Sequence, residues 1–235
     1  MAYTTIDDPS AYFQTALYTG TGSSTQNVVN GGNSDLQPDW VWVKNRTDAR
    51  WHRLVDSSRG ASKNLYSNET DAEGTEASVT AFNSDGFSLG TDTGSDGWNE
   101  NGDAHVAWQW KANGGSRTTF NASGNQLAGG YQANTTAGFS IVDYTGNATN
   151  GATFPHGLGA TPVIAIIKDR TNAGDGGGTN WIVAYTIQDG SSDRLYLNGT
   201  NAKFDLPVGS TEFRVDFDSS NVTLGTWNNV NASGT

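Results

Sequence analysis

Apolar and polar positions alternate with a period of two wherever this chain is strongly patterned. Phe213, Val215 and Phe217 point one way while Arg214 and Asp216 point the other, the signature of a half-buried strand. In His105-Val106-Ala107-Trp108-Gln109-Trp110, the residues Val106, Trp108 and Trp110 share one face. Phe139 to Tyr144 and Trp181 to Tyr185 alternate in part or throughout. Trp40 to Lys44 and Val163 to Lys168 are short apolar runs with turn residues before and polar residues after, as expected of sandwich strands buried on one or both faces. Glycine turns such as Ser84-Asp85-Gly86-Phe87 punctuate these segments. The pattern predicts an all-β chain.

The elements recur. Ala16-Leu17-Tyr18-Thr19-Gly20 is echoed by Val142-Asp143-Tyr144-Thr145-Gly146, and the run Leu36 to Thr47 by Leu158 to Thr171. In the latter, Pro38 and Pro162, Lys44 and Lys168, and Arg46 and Arg170 keep one constant offset. Past a glycine-rich insertion at Asp175 to Gly178, Trp51 matches Trp181 and Leu65-Tyr66-Ser67-Asn68 matches Tyr196-Leu197-Asn198. Phe87-Ser88-Leu89-Gly90-Thr91 then matches Val222-Thr223-Leu224-Gly225-Thr226. These landmarks, all in one order, indicate an internal duplication. The expectation is two tandem antiparallel β-sandwich repeats, residues 1–112 and 138–235, with 113–137 as a Gly/Ser/Asn/Thr-rich linker or loose hairpin anchored by Phe120 and Tyr131. The second repeat has no counterpart of His105 to Trp110, so it is expected to lack its last strand and expose an edge. A chain that continues past Thr235, a strand donated by a neighbouring subunit, and a trimmed repeat each account for that edge.

Composition sharpens this picture. Gly contributes 30 residues and Pro 5, and charged residues are 16% of the chain, which suits short strands joined by many turns. Eight Trp, eight Tyr and nine Phe supply core material and argue against disorder. Thirteen basic against 24 acidic residues give a net charge of −11, which disfavours nucleic acid and anionic membranes as partners. There is no cysteine, hence no disulfide and no thiolate metal site. No apolar run is long enough to span a bilayer, and Met1 to Asp8 lack the basic and apolar regions of a signal peptide. An extracellular-type surface without an ordinary export signal fits a virion protein assembled in the host cytoplasm.

The opening Met1-Ala-Tyr-Thr-Thr-Ile-Asp-Asp-Pro-Ser-x-Tyr-Phe-Gln, with Leu36-Gln-Pro-Asp-Trp-Val-Trp-Val-Lys-Asn-Arg and Asp56-Ser-x-Arg59-Gly60, resembles a family of tailed-phage structural proteins frequent in phages of aquatic bacteria, cyanophages included. Thr80 to Gly90 and Val106-Ala-Trp-Gln-Trp-Lys111 extend the likeness over nearly all of the first repeat and, more weakly, the second. The resemblance implies a tail fibre-like virion appendage with concanavalin-like or jelly-roll sandwiches, associating as a homo-oligomer, most naturally a trimer. It implies contacts with other virion proteins and carries no catalytic residues.

Candidate chemistry is sparse. Asp92, Asp96, Glu100 and Asp103 gather hard oxygen ligands among glycines, the makings of a Ca²⁺ loop, with a solvated acidic turn as the plainer account. Glu69, Glu73 and Glu76 lie close together, but in a loop-like stretch rather than on a strand, where paired glycosidase carboxylates would be held. No Gly-x-Ser-x-Gly elbow is present, and His52, His105 and His156 lack metal-ligand spacing, so an enzyme is not expected. Aromatic rings stack on sugars while Asn and Asp bond their hydroxyls. Trp98 with Asn99, Asn101 and Asp103, and Trp227 with Asn228 and Asn229, are therefore candidate glycan sites, against the alternative of edge packing. Trp40, Trp42, Trp108 and Trp110 read by default as core or inter-subunit packing. Lys44/Arg46 and Lys168/Arg170 read as structural ion pairs with an acidic loop. The functional expectation is a virion appendage contacting host surface glycans, with a free-standing carbohydrate-binding module or a capsid decoration protein as alternatives.

Overall fold

The computed structural model describes residues 6–93, 97–171, 179–185, 193–207 and 209–234. It is all-β, with antiparallel sheets throughout and, among the described residues, only a single turn of α-helix and a short 3₁₀ turn. The chain forms two compact units: Met1–Tyr66 with Glu73–Ser116, and Ser67–Ala72 with Arg117–Thr235.

The first unit contains β1 (Phe13–Thr19), β2 (Asn27–Val28), β3 (Trp40–Asn45), β4 (Arg53–Asp56), β5 (Lys63–Asn64), β6 (Gly74–Thr75), β7 (Val79–Phe82), β8 (Phe87–Leu89) and β9 (Ala104–Trp110). Its main sheet runs β1-β9-β3-β4, facing a second sheet β2-β8-β7. The core between them is Ala16, Val41, Val43, Val55 and Ala107 from the first sheet against Val28, Val79, Phe87 and Leu89 from the second, with Trp98. Alternation explains the assignment. In β3, Val41 and Val43 are buried while Trp40 and Trp42 take the opposite, half-exposed face.

The second unit contains β10 (Thr118–Phe120), β11 (Ala128–Asn134), β12 (Phe139–Thr145), β13 (Ala152–Pro155), β14 (Ile164–Ile167), β15 (Ile182–Tyr185), β16 (Asp193–Tyr196), β17 (Val215–Phe217), β18 (Asn221–Leu224) and the helical turn α1 (Asn228–Asn231). Its sheets run β10-β11-β12, β13-β18-β17 and β14-β15-β16. Leu127, Phe154, Ile167, Ile182, Val215, Val222 and Leu224 form its core. The segment expected as a linker or loose hairpin is a hairpin, β10 paired antiparallel with β11. Strands β10 and β11 extend the edge of β12, Phe120 stacks with Tyr131 at 6.4 Å, and Leu127 is buried.

Strand pairing verifies the duplication. Val28 opposes Phe87 as Phe154 opposes Val222, and Val79 opposes Leu89 as Val215 opposes Leu224. It also corrects one landmark. Val43 opposes Arg53 and Ile167 opposes Ile182, which places Trp181 where His52 stands, not Trp51. Burial agrees, since Trp181 is 5% exposed and Trp51 47%.

The strongest recurrence is a buried asparagine clasp. The Asn99 side chain accepts from the Thr21 N–H (2.9 Å) and donates to the carbonyls of Ser23 (2.8 Å) and Gly90 (3.0 Å). Asn231 accepts from the Asn147 N–H (2.9 Å) and donates to the carbonyls of Thr149 (3.0 Å) and Gly225 (2.8 Å). Beside each clasp a tyrosine hydroxyl donates to the preceding carbonyl, Tyr18 to Trp98 and Tyr144 to Val230, both at 2.6 Å. Gly20 and Gly146 are required there. A Cβ on either would lie 2.2 Å from a backbone oxygen, of Glu100 or of Ala232. The same scaffold thus ties the start of each repeat to its end.

Candidate functional site

The tryptophans offered as sugar platforms are already occupied. Trp98 is buried, with its ring 4.5 Å from the Arg53 guanidinium, which also lies 4.8 Å from Tyr66. In the second unit Arg194 fills the corresponding role among Trp227 (4.2 Å), Phe213 (4.4 Å), Phe204 (4.9 Å) and Tyr196 (6.0 Å). A buried guanidinium over aromatic faces gains cation–π attraction in low dielectric, and it occupies the ring faces it covers. Asn99 is spent on its clasp and Asn229 accepts from the Asn180 N–H (3.0 Å). Asn101 and Asn228 are exposed, and Asp103 accepts from the Asn45 side chain (2.7 Å). Trp98 is internal, whereas Trp227 is half-buried against Arg194. They are also not equivalent positions, because the clasp equates Trp98 with Val230, whereas Trp227 sits at the start of α1.

The acidic loop divides likewise. One oxygen of the buried Asp92 accepts from three backbone N–H groups, of Gly97 (2.9 Å), Trp98 (3.1 Å) and Asn99 (3.0 Å), so it serves the turn rather than an ion. Asp96 lies outside the described residues. Glu100 and Asp103 instead come together with Asp48. Arg50 neutralises that group, donating to both oxygens of Glu100 (3.0 and 2.8 Å) and lying 3.5 Å from Asp48. A Ca²⁺ ion there would have to displace a bidentate arginine, and Glu100 becomes Ala232 in the second repeat. The glutamates are structural as well. Glu73 pairs with the buried Arg59 (3.0 Å), and Glu76 with Arg53 and the Tyr66 hydroxyl (3.0 Å).

Lys44 and Lys168, expected in ion pairs, donate instead to the carbonyls of the next residue, Asn45 and Asp169, each at 2.6 Å. Burial pushes the Lys168 ammonium down to about 8, against the pull of Asp169 and Asp71. Its folded pKa lies below its unfolded value. Between about 8 and 10.5 the unfolded chain therefore holds more protons, and stability rises with pH; below that window both states are protonated and the group adds no slope. Urea titrations across this range are expected to show the rise in the natural chain and its loss in Lys168→Met.

Trp40, Trp42, Trp108 and Trp110 share the outer face of the first unit's main sheet, half-buried. Cross-strand register aligns Phe13, Trp110 and Trp40 in one row, and Thr15, Trp108 and Trp42 in the next. Trp40 stacks on Trp110 at 4.7 Å and 30°, Phe13 leans on Trp110 at 4.9 Å, and Trp42 meets Trp108 edge-on at 5.8 Å. The Trp42 indole N–H donates to His52 Nδ1 (2.9 Å), and burial, with Lys44 nearby, holds that imidazole below its ordinary pKa, as the neutral acceptor this bond needs. Four half-buried indoles, Phe13 and the exposed Leu17 thus line one aromatic face, with Lys44 at its edge. Of the two default readings of these tryptophans, core and inter-subunit packing, the first is corrected, since none joins the core cluster. Alternation foretold one shared face but not which side of the sheet it took. The counterparts in the second unit are Phe139, Ile164 and Ile166, so that face is apolar but not a tryptophan array.

The signature of a family described as Domain of unknown function (DUF7483) matches residues 8–235. The chain belongs to that family. The match spans both repeats. No curated protein and no solved structure matches the chain.

Proposed function

We propose that this chain is a structural surface protein of a tailed-phage particle, a tail fibre or related appendage, and that it touches host glycans through the tryptophan face of its first unit. The phage assignment, and with it a concanavalin-like or jelly-roll ancestry and a homo-oligomeric state, is supported by the resemblance of the opening segment and of the Leu36 to Arg46 run. The glycan contact is supported by one observation: four indoles held on a sheet with no charged group among the ring pairs. Apolar C–H faces of sugar rings pack on such surfaces, and rigid aromatics make low-entropy contacts.

Binding of bacterial surface polysaccharide to the purified chain is expected to quench tryptophan fluorescence. Trp40→Ala and Trp110→Ala should each weaken it about tenfold or more, that is by at least about 1.4 kcal/mol. Sedimentation of the same variants separates this from subunit packing. If the natural chain is an oligomer and Trp40→Ala dissociates it without changing glycan affinity, the face is an interface and the glycan reading fails. Mass spectrometry of purified particles tests the virion assignment itself.

A further inference from the structure

In the first unit β9 lies between β1 and β3, antiparallel to both. The duplication equates β1 with β12 and β3 with β14, yet among the described residues no strand pairs with both β12 and β14. Strand β11 does not take the place of β9. The Asp143 carbonyl points at β11, reaching 2.1 Å from where a Gly129 Cβ would stand, so the odd-numbered residues of β12 face β11. In β1 it is the even-numbered residues that face β9, as the bond from Lys111 N–H to the Tyr12 carbonyl shows. The main chain of Ser140, Val142 and Tyr144 is therefore turned toward the place of β9. On the other flank, Trp181 accepts from the Leu197 N–H, which puts Ile182 and Ala184 toward β14 and pairs them with Ile167 and Ala165. The main chain of Ile164 and Ile166 is left facing away from β15, the side on which β9 pairs with β3 in the first unit. The side chains there are open to match: Val163, Ile164 and Ile166 are 60%, 51% and 42% exposed.

We propose that this gap is a strand-acceptor groove, filled by an extended segment of another polypeptide that enters antiparallel to both β12 and β14. The first unit shows the chemistry of the occupant, because β9 fills the homologous gap with His105, Ala107 and Gln109 pointing inward and Trp108 and Trp110 outward. The groove's own residues refine it. Val142 and Ile167 replace Ala16 and Val43 around the middle inward position, so that residue must be small, as Ala107 is. Ser140 and Ala165 replace Gln14 and Val41 around the next, which makes room for a larger apolar side chain than in β9. Outward, Phe139 with Ile164 and Ile141 with Ile166 call for apolar or aromatic residues. Main-chain bonds on both sides give affinity and the alternating pockets give selectivity, the logic of strand addition doubled. This inference is independent of the glycan reading, which concerns the other unit.

The probe is a synthetic peptide of residues 104–110 carrying Gln109→Leu, added to the full chain. Saturable one-to-one binding is expected, with amide exchange at Val142, Tyr144, Ile164 and Ile166 slowed by about tenfold or more. The same peptide with Ala107→Phe should bind at least about tenfold more weakly, because its inward ring meets Val142 and Ile167. In the protein, Ile166→Pro removes an N–H that no strand among the described residues of the unit uses. It should abolish peptide binding while leaving the far-ultraviolet circular dichroism and the denaturation midpoint of the free chain unchanged. Slow exchange at Ile164 and Ile166 in the free chain, or equal binding of the Ala107→Phe peptide, would overturn the proposal.

Discussion

Phe87→Ala is expected to cost about 3–5 kcal/mol, the usual range for deleting a fully enclosed ring. Phe87 has no exposed surface, opposes Val28 across the second sheet, meets Tyr18 edge-on at 6.3 Å, and lies in the core with Val41, Val43 and Leu89. Its counterpart Val222 is smaller but occupies the same register position, and Val222→Ala should cost about 2 kcal/mol. Urea denaturation of the two variants checks both the magnitude and the equivalence of the sites. A loss below about 1 kcal/mol for Phe87→Ala would mean that the two sheets do not face each other as described.

The second large effect is polar. Asn99→Ala and Asn231→Ala should each lose about 2–4 kcal/mol, because each deletes a buried amide that makes three main-chain hydrogen bonds; in the first repeat the Thr21 N–H keeps a second acceptor in the Gln26 side chain (3.0 Å). The corresponding Asp variants hold the shape and can accept, but they place a carboxylate against two carbonyl oxygens, so they should rescue neither clasp. Similar penalties in both repeats are the expected result. A clasp that tolerates Ala in one unit would show that the duplication no longer carries the same energetic burden in both.

The sheet class was legible because the alternation of Phe213, Val215 and Phe217, and of Val106, Trp108 and Trp110, leaves one periodicity open. The duplication was legible from landmarks whose spacing is rigid, such as Pro38 and Lys44 against Pro162 and Lys168. Where loops changed length the reading slipped. Trp181 attracted Trp51 because the residue types agree, although strand register assigns it to His52. Trp227 was matched to Trp98 on the shared Trp-Asn pair, whereas the asparagines that superpose are Asn99 and Asn231. Strand β11 was hidden by Gly129, Gly130 and its polar neighbours. Its glycines exist for close approach, with Gly130 beneath the Arg117 guanidinium, and they carry no alternation to detect. The candidate site suffered most, because a solvent-facing tryptophan and a core tryptophan look alike in sequence when both sit on alternating strands. The cation–π clusters were out of reach for another reason: Arg53 comes from β4 and Arg194 from β16, so the two arginines share no sequence position.

The stacked indoles of Trp40 and Trp110 carry an optical consequence. Two rings whose centres lie 4.7 Å apart at a fixed tilt share their electronic excitation, and the coupling splits their absorption into paired bands of opposite rotational strength. Because one ring belongs to β3 and the other to β9, that couplet exists only while those strands are zipped together. The positions facing one another in the second repeat hold no such pair of tryptophans, so the chain carries a label-free chromophore that reports the integrity of one half of the molecule alone.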